Sequence, residues 1–441
     1  MSEKHDQEYF ADGMAEEIID LLAKVPELHI PARTSSFYFK GKPTQIPEIA
    51  RELGVAHVLE GSIRRSGNHL RVTAQLVRAD NGYHVWSETY DRNLQDVFAV
   101  QDDIANAVVQ ALQISPMGGP LTRQKGGTQN IEAYQLYLRA NSVVLQNSQD
   151  SLAAAHRYLD QAIKLDPNFG LAWSLLAYTV TYETDNAFLS PRDGYERVRQ
   201  LAQQALKLSP ELSPPHAVLS YAHRTYEWDW AAAEVEGRRA LDLDPGNTQA
   251  LSFAGMLSNT LGRWEDAARK LRSALVRDPL NTDVIFNLGV GFYSAGRFAD
   301  AEASFRKLIA LEPGYWWGHM YLGKTLLAEG QPQAALAMVQ GEFADENRLV
   351  YMPIVLQAAG RKAEADEALA SLIKKYADRD AYYVAMTYAY RGDRDLALQW
   401  LERAYNQKDV SLVEIVGEPL FNNLMGDPRF EAFLRKMNLP E

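Results

Sequence analysis

The sequence predicts a mostly α fold, a right-handed superhelix of stacked helix pairs (an α-solenoid) preceded by a small α/β domain. Three observations support this prediction. Small residues recur at one fixed period between residues 247 and 336, and alternating apolar residues with hairpin signals fill the first 112 residues. Hydrophobic residues make up 46% of the chain and charged residues 23%, as in folded globular proteins.

The fixed period is 34 residues. Gly255, Gly289 and Gly323 follow one another at this spacing (289 − 255 = 34 and 323 − 289 = 34). Three further sets of small residues and prolines have the same 34-residue spacing: Gly262, Gly296 and Gly330; Ala267, Ala301 and Ala335; and Pro245, Pro279 and Pro313. A 34-residue period with small residues at set offsets is typical of the tetratricopeptide repeat, a helix–turn–helix unit.

One repeat, residues 248–279, shows the physical reason for the pattern. Leu251, Ala254 and Ser258 lie along one face of its first helix. Gly262 suits the left-handed turn that often ends a helix, and Pro279 cannot continue the second helix. A single pair cannot bury its apolar face, so neighbouring pairs must stack.

Composition and period together divide the chain into four segments. We predict an α/β domain at 1–112, a Gly- and Pro-rich linker at 113–129, an array of about eight helical pairs at 130–407, and a C-terminal cap at 408–441. Within the cap, Asp427-Pro428 begins a short helix with Phe430, Phe433 and Leu434 on its apolar side. Repeat arrays need such a terminal cap for solubility.

The first 112 residues predict the order α-β-α-β-β-β-α, an α/β sandwich with one helical layer. Leu28–Ala32 is the first strand candidate, and the other three strands lie between Val55 and Thr89. Asn81-Gly82 is a strong hairpin signal between the last two strands.

Several runs in this region resemble a known bacterial module, the TolB-amino-terminal-like domain that precedes tetratricopeptide arrays in large regulatory proteins. The runs are Tyr9-Phe10-Ala11-Asp12-Gly13-Met14, Ala32-Arg33-Thr34-Ser35-Ser36-Phe37, Phe39-Lys40-Gly41-Lys42, Leu59-Glu60-Gly61-Ser62-Ile63-Arg64-Arg65, Val72-Thr73-Ala74-Gln75-Leu76 and Trp86-Ser87-Glu88-Thr89-Tyr90-Asp91-Arg92.

The resemblance implies a sensory half of a signalling protein. In that family the pair of modules usually accompanies an effector: a class III adenylate cyclase, a winged-helix DNA-binding domain or a serine/threonine kinase. A transmembrane helix often lies between the two parts. Family members also begin the module with an apolar strand, which this sequence lacks before Met1–Gln7. We therefore expect a fragment of a longer protein, or a sheet that is short of one strand.

Composition and motifs argue against several functions. The net charge of −12 disfavours nucleic-acid binding by this chain. The chain has no cysteine, its nine histidines show no metal-ligand spacing, and no catalytic or phosphate-binding motif is present. We therefore predict no catalytic, cofactor or metal residues, no cofactor, and no enzyme activity.

The compartment stays open at this point. No apolar run reaches the ~18 residues that span a membrane. A membrane connection would come only from an absent upstream segment, which leaves cytoplasm and periplasm as alternatives.

The predicted binding surface is the groove lined by the first helix of each repeat. By the repeat pattern, positions 2, 5, 9 and 12 point into it and supply large apolar groups suited to a peptide or helix. Phe286, Tyr293 and Trp317 have an equally good alternative as packing residues between repeats or under the N-terminal domain. The candidate groove residues are Gln249, Ser252, Met256, Asn259, Asp283, Phe286, Tyr293, Trp317, Met320 and Lys324.

Two functions from different classes follow. The first is a non-catalytic interaction and sensory module that binds a protein or peptide partner in the groove and acts with a signalling effector. The second is an enzyme or small-ligand protein with a site between the α/β domain and the array, where Arg33, Arg64 and Arg65 could face an anion. A homodimer joined through the open sheet edge is a third option.

Overall fold

The structure, a computed structural model, describes residues 2–25, 27–114, 121, 126–315, 317–342 and 344–440, with side chains from Glu8 onward. It is mostly helical with one small antiparallel sheet, which confirms the predicted fold class. Most of the predicted linker 113–129 lies outside the described residues.

The described N-terminal region is built from four α-helices, three strands and a single turn of 3-10 helix, Leu94–Asp96. Its sheet has the order β1-β2-β3, with both strand pairs antiparallel. In chain order the elements are α1 (Ser2–Leu22), α2 (Arg33–Phe37), α3 (Ile46–Leu53), β1 (His57–Ser66), β2 (His69–Arg78), β3 (His84–Asn93) and α4 (Val97–Ala111).

One face of the sheet is buried because β2 alternates apolar and polar residues. Leu70, Val72, Ala74 and Leu76 point inward, as the period of two requires. They belong to one hydrophobic core with the apolar stripes of α1 and α4, which include Met14, Ile18, Val100, Ile104 and Val108. The α/β domain is therefore held together by a single helical layer on a three-stranded sheet.

The strand predicted at Leu28–Ala32 is wrong. These residues have no regular structure, and α2 forms directly after them. An extended segment is a strand only where another strand pairs with it. Here Pro31 has no N–H to donate, and the N–H of Ala32 bonds instead to the carbonyl oxygen of Arg277 at 2.7 Å.

The rest of the described chain forms eight successive helical pairs and a short C-terminal region. The pairs are α5 (Ile131–Val144) with α6 (Gln149–Leu165), α7 (Gly170–Asp185) with α8 (Pro191–Leu208), α9 (Ser213–Ala222) with α10 (Trp230–Leu243), α11 (Thr248–Thr260) with α12 (Trp264–Arg277), α13 (Thr282–Ser294) with α14 (Phe298–Leu311), α15 (Gly318–Ala328) with α16 (Pro332–Gln340), α17 (Asp345–Ala358) with α18 (Lys362–Tyr376), and α19 (Ala381–Tyr390) with α20 (Arg394–Gln407).

The periodic glycines have the two roles that their offsets suggest. Gly289 lies where a methyl group would meet the Phe305 ring at 2.7 Å, so its lack of a side chain lets α13 and α14 approach closely. Gly296 has φ +71°, a left-handed conformation that favours glycine, and it follows the C-terminus of α13.

Two 3-10 helices, Val410–Gly417 and Pro419–Leu424, follow α20, and the chain ends with α21 (Pro428–Lys436). The side chain of Asp427 caps α21 by accepting a hydrogen bond from the N–H of Arg429. Phe430, Phe433 and Leu434 of α21 are buried.

The described chain divides into two compact units. The first comprises 1–219, 239–248 and 276–279, and the second comprises 220–238, 249–275 and 280–441. Within the first unit, α1 packs on α5, and Leu138 occupies the space beside Gly13. The buried carboxylate of Asp278 also accepts hydrogen bonds from the backbone N–H and the hydroxyl of Ser35, at 2.9 and 2.5 Å.

The second unit turns back on itself. The indole N–H of Trp230, at the start of α10, donates to the carbonyl oxygen of Met437 at 2.8 Å. The rings of Trp228 and Tyr405 lie 5.2 Å apart, and the ammonium of Lys408 lies 4.0 Å from the Trp228 ring centre. Residues far apart in sequence therefore close this unit.

Candidate functional site

The first helices of successive pairs form one continuous surface in the second unit. Helices α13, α15, α17 and α19 contact one another in turn, as first helices do in a stacked array. We call the surface formed by these four helices the inner wall. It is the surface on which the sequence places the later candidate groove residues.

A segment of the same chain lies against the inner wall. This inner segment, residues 410–424, comprises the two 3-10 helices and contacts α13 and α19. Its apolar side chains Leu412, Ile415, Phe421 and Leu424 are buried. The groove predicted from the repeat pattern is therefore occupied by the protein itself.

A buried ion pair joins the two surfaces. The ammonium of Lys324, on α15, lies 2.8 Å from one carboxylate oxygen of Glu418, and both side chains are 1% exposed. The other oxygen of Glu418 accepts hydrogen bonds from the hydroxyl of Tyr293 at 2.9 Å and from the N–H of Leu420 at 3.2 Å. Three donors thus compensate the buried carboxylate, as a buried charge requires.

Two tyrosines of the inner wall contact the charged groups of Glu414 and Lys324. The hydroxyl of Tyr321 donates to Glu414 at 2.6 Å. Lys324 also lies 4.5 Å from the Tyr321 ring centre and 5.1 Å from that of Tyr293, within range of a cation–π attraction. Burial, and then the charge of Glu418, raises the pKa of Tyr293 well above its usual value. Burial, and then the charge of Glu414, does the same to the pKa of Tyr321. Both phenols therefore stay protonated and act as donors.

Aspartates fix the point where the inner segment begins. Asp409 accepts hydrogen bonds from the N–H groups of Tyr382 and Ser411, at 2.9 and 3.0 Å. Burial raises the pKa of Asp409 to about 6 despite these bonds. Asp380 precedes α19, and burial, followed by the charge of Asp409, raises the pKa of its carboxyl as well.

The structure separates the ten candidate groove residues into two groups. Tyr293 and Lys324 contact the inner segment. Phe286 packs against Tyr315 and Tyr321 of the next repeat, and Trp317 stacks on Tyr383. For Phe286 and Trp317 these contacts match the packing alternative.

The other candidates have contacts within the array or are half-buried. Ser252 accepts from Asn287 at 3.2 Å, Asn259 donates to the carbonyl oxygen of Asn287 at 3.3 Å, and Asp283 accepts from the Tyr315 hydroxyl at 2.7 Å. The side chain of Met320 is buried, and those of Gln249 and Met256 are half-buried.

Several residues of the site carry no signal in the 34-residue period. Tyr321 stands outside the four groove positions of the repeat pattern, and Tyr351 and Tyr382 follow Ala335, the last residue that keeps the strict 34-residue spacing. Glu414 and Glu418 lie in a segment with no repeat at all. The alternation of glutamates with buried apolar residues in 410–424 is the signal that could have identified this segment.

The structure does not bring the three arginines of the predicted anion site together. Arg33 pairs with Glu16 at 3.0 Å, and the guanidinium of Arg65 donates to the carbonyl oxygen of Gly67 at 3.1 Å. Arg64 and Arg65 are neighbours in β1, so their side chains point to opposite faces.

The described residues contain neither a metal-binding cluster nor a membrane-spanning helix. No group of three or more histidine, aspartate or glutamate side chains in this part of the chain is placed to hold a metal ion. Within the same residues, no helix combines the length and apolar content needed to cross a bilayer.

The helix pairs within 255–341 and the helices within 354–379 match tetratricopeptide repeats. Three family models, each described as a tetratricopeptide repeat, match residues 255–315, 292–341 and 354–379. Proteins with such arrays commonly bind protein or peptide partners, which makes this chain similar to a class of interaction modules.

A curated relative matches about half of the chain. The chain is 38% identical over 224 residues to "Putative adenylate cyclase 3" of Rhizobium meliloti (strain 1021). The match covers 50% of this chain and 38% of the relative, so most of the relative lies outside it.

Solved structures are similar to parts of the chain at low identity. PilF of Pseudomonas aeruginosa is 21% identical with a TM-score of 0.38, covering 47% of this chain and 91% of that one. YrrB, described as a TPR protein with an unusual peptide-binding site, is 16% identical with a TM-score of 0.30, covering 48% and 96%. At such scores these likenesses carry no argument about ligands.

Proposed function

We propose that this chain is the non-catalytic interaction and sensory part of a signalling protein. The inner wall would bind a segment of a protein partner, and binding would be transmitted to an effector such as a cyclase, a kinase or a DNA-binding domain. The single observation that carries the proposal is the occupied inner wall. Its tyrosines and Lys324 already hold a segment of two 3-10 helices by hydrogen bonds, an ion pair and apolar contacts.

The curated relative supports the signalling side of the proposal. The 224 matched residues cover 38% of a protein named as a putative adenylate cyclase, which leaves room in that protein for a separate effector. The α/β domain adds to this because its runs resemble a module that accompanies such effectors. A homodimer joined through the sheet edge of the α/β domain remains an additional proposal, tested by measuring the mass in solution.

The first test is genetic and then enzymatic. The coding region around this chain, read in frame in both directions, should encode a cyclase, kinase or winged-helix domain. If it does, the activity of the whole polypeptide should change when Lys324 and Tyr293 are replaced by alanine. The variant Glu364→Ala, on the exposed face of α18, is the matched control and should leave that activity unchanged.

Two results would overturn the proposal. Conversion of ATP to cyclic AMP by the present chain alone would contradict a non-catalytic role. Effector activity that is insensitive to the Lys324 and Tyr293 variants, with folding intact by circular dichroism, would contradict the role of the inner wall.

A further inference from the structure

The inner segment has the features of a bound ligand rather than of a repeat helix. It is built of two 3-10 helices, whereas every repeat contributes α-helices. The preceding helix α20 ends at Gln407, and Lys408 takes a left-handed conformation with φ +59° that redirects the chain. From there the segment lies against α13, α15 and α19, the first helices of three helical pairs.

The chemistry of the contact is divided between the two sides. The inner wall supplies hydrogen-bond donors and a cation: the hydroxyls of Tyr293 and Tyr321 and the ammonium of Lys324. The inner segment supplies the two carboxylates, Glu414 and Glu418, which stand four residues apart. Apolar side chains between and beside these carboxylates fill the remaining surface.

The inner wall also carries polar groups that the inner segment leaves unsatisfied. The hydroxyls of Tyr351 and Tyr382 and the side-chain amide of Asn347 have no hydrogen-bond partner in the described part of the chain. Tyr351 is fully buried, and Asn347 is 1% exposed. Burying such a group without a partner is unfavourable, because its hydrogen bonds to water are lost and not replaced. A ligand that brought one more acceptor to this place would therefore bind better than the inner segment does.

The two tyrosines belong to the same site as the ion pair. Burial, and then the negative charge of Glu418, raises the pKa of Tyr351 well above its usual value. The same causes, in the same order, raise the pKa of Tyr382, whose ring lies 5.5 Å from that of Phe421 in the inner segment. The inner wall is thus one continuous site, incompletely matched by its present occupant.

We propose that the inner segment is an intramolecular ligand that closes the inner wall until a partner displaces it. The partner is a protein segment of the same chemistry, with two carboxylates about four residues apart among apolar side chains. This inference rests on the proposed function, because it names the partner class and the regulation of the same surface.

An intramolecular ligand sets the threshold for the partner. The apparent affinity for the partner equals the affinity of the open wall multiplied by the fraction of molecules in which the wall is open. An open fraction of about 1% therefore weakens binding about 100-fold. Weakening the inner segment should raise the affinity by the same factor, without any change in the wall itself.

The test uses the full chain and a labelled peptide with the sequence of residues 408–426. Binding is measured by fluorescence polarisation for the natural chain, for E414Q/E418Q and for the control E364Q/E367Q, which removes two charges from the exposed face of α18. We expect E414Q/E418Q to bind the peptide at least about 10-fold more tightly than the natural chain and the control do. A second peptide with glutamine at both positions should bind none of them.

A second variant covers the case in which E414Q/E418Q fails to fold. A methyl group at Gly417 would clash with Ser294 and Trp264, so G417A pushes the inner segment away while leaving the wall and both glutamates as they are. We expect the same gain in peptide affinity. Hydrogen exchange of the natural chain should also show the amides of 410–424 exchanging at least about 10-fold faster than those of α13.

Equal peptide binding by all variants, with 410–424 exchanging only as fast as α13, would overturn the inference and make the inner segment a permanent part of the core. Because the probe is the chain's own sequence, this outcome is independent of any effector. A gain in peptide affinity without a change in effector activity would overturn the proposed function. It would still support the inference that the inner segment is an intramolecular ligand of the inner wall.

Discussion

Replacing Lys324 with methionine should destabilise the second unit by about 3–5 kcal/mol, because it leaves a buried carboxylate without its cation. Methionine has nearly the length of lysine, so the packing around Tyr293 and Tyr321 is retained. The expected loss is therefore electrostatic rather than steric.

The geometry around Glu418 sets this magnitude. After the substitution, the carboxylate keeps the Tyr293 hydroxyl at 2.9 Å and the Leu420 N–H at 3.2 Å, but both donors are neutral. At 1% exposure no water replaces the lost ammonium. The unpaired carboxylate can also reach water if the inner segment leaves the inner wall. The measured loss of stability therefore equals whichever is smaller: the cost of burying the unpaired charge, or the free energy with which the inner segment docks on the inner wall.

The double variant K324M/E418Q separates charge from packing. Its glutamine still accepts from Tyr293, and no charge remains buried, so we expect a stability within about 1 kcal/mol of the natural chain. The assay is denaturant unfolding of the natural chain, both single variants and the double variant, analysed as a double-mutant cycle.

One result would refute this reasoning. If K324M lowers the free energy of unfolding by less than about 1 kcal/mol and the two single effects add in the double variant, the Lys324–Glu418 pair does not hold the inner segment.

Three further predictions follow from features of the fold. G289A should lower the free energy of unfolding by about 1–3 kcal/mol, because its methyl group would lie 2.7 Å from the Phe305 ring. The control G314A, whose methyl group would have no atom within 4 Å, should change it by less than about 1 kcal/mol. Thermal unfolding measures both. The raised pKa of Asp409, about 6 against an ordinary 3.8, means that the folded state holds this proton to higher pH than the unfolded state does, so the free energy of unfolding should fall by about 2 kcal/mol as pH rises from 4 to 6. D409N should remove that part of the pH dependence in urea unfolding, and an unchanged slope would contradict the assignment. D278A should cost about 1–3 kcal/mol and speed amide exchange in 33–37 because it removes the acceptor of the hydrogen bonds from the Ser35 hydroxyl and N–H, whereas S36A, which loses a weak 3.3 Å bond, should be near neutral.

The repeats could be predicted from sequence because stacking imposes a period. The close approach of α13 and α14 needs a small residue where Gly289 faces Phe305. Because each stacked repeat has the same need at the same place, a small residue recurs every 34 positions. The three-stranded sheet could be predicted for a similar reason, since Leu70, Val72, Ala74 and Leu76 alternate toward one core.

The packing of the inner segment on the inner wall could not be predicted, because its contacts join residues that are far apart in sequence and do not follow the repeat period. Tyr293 and Glu418 are 125 positions apart, and nothing near Tyr293 indicates which residue its hydroxyl meets. The error at Leu28–Ala32 has a related origin: an apolar, extended run reads as a strand, but the missing partner strand is a property of the tertiary fold. Phe286 shows a further limit, since a periodic aromatic residue fits a groove and a repeat interface equally well until its neighbours are known.

The inner segment also bears on how freely this array can change its length during evolution. Ordinary repeat arrays gain and lose units easily because each unit touches only its neighbours. Here the contact from Trp230 to Met437 joins residues 207 positions apart, and Glu418 must reach Lys324 at one distance. Inserting or deleting a unit between α13 and α20 would carry these partners out of register, so the number of repeats in the second unit is fixed by its own C-terminus.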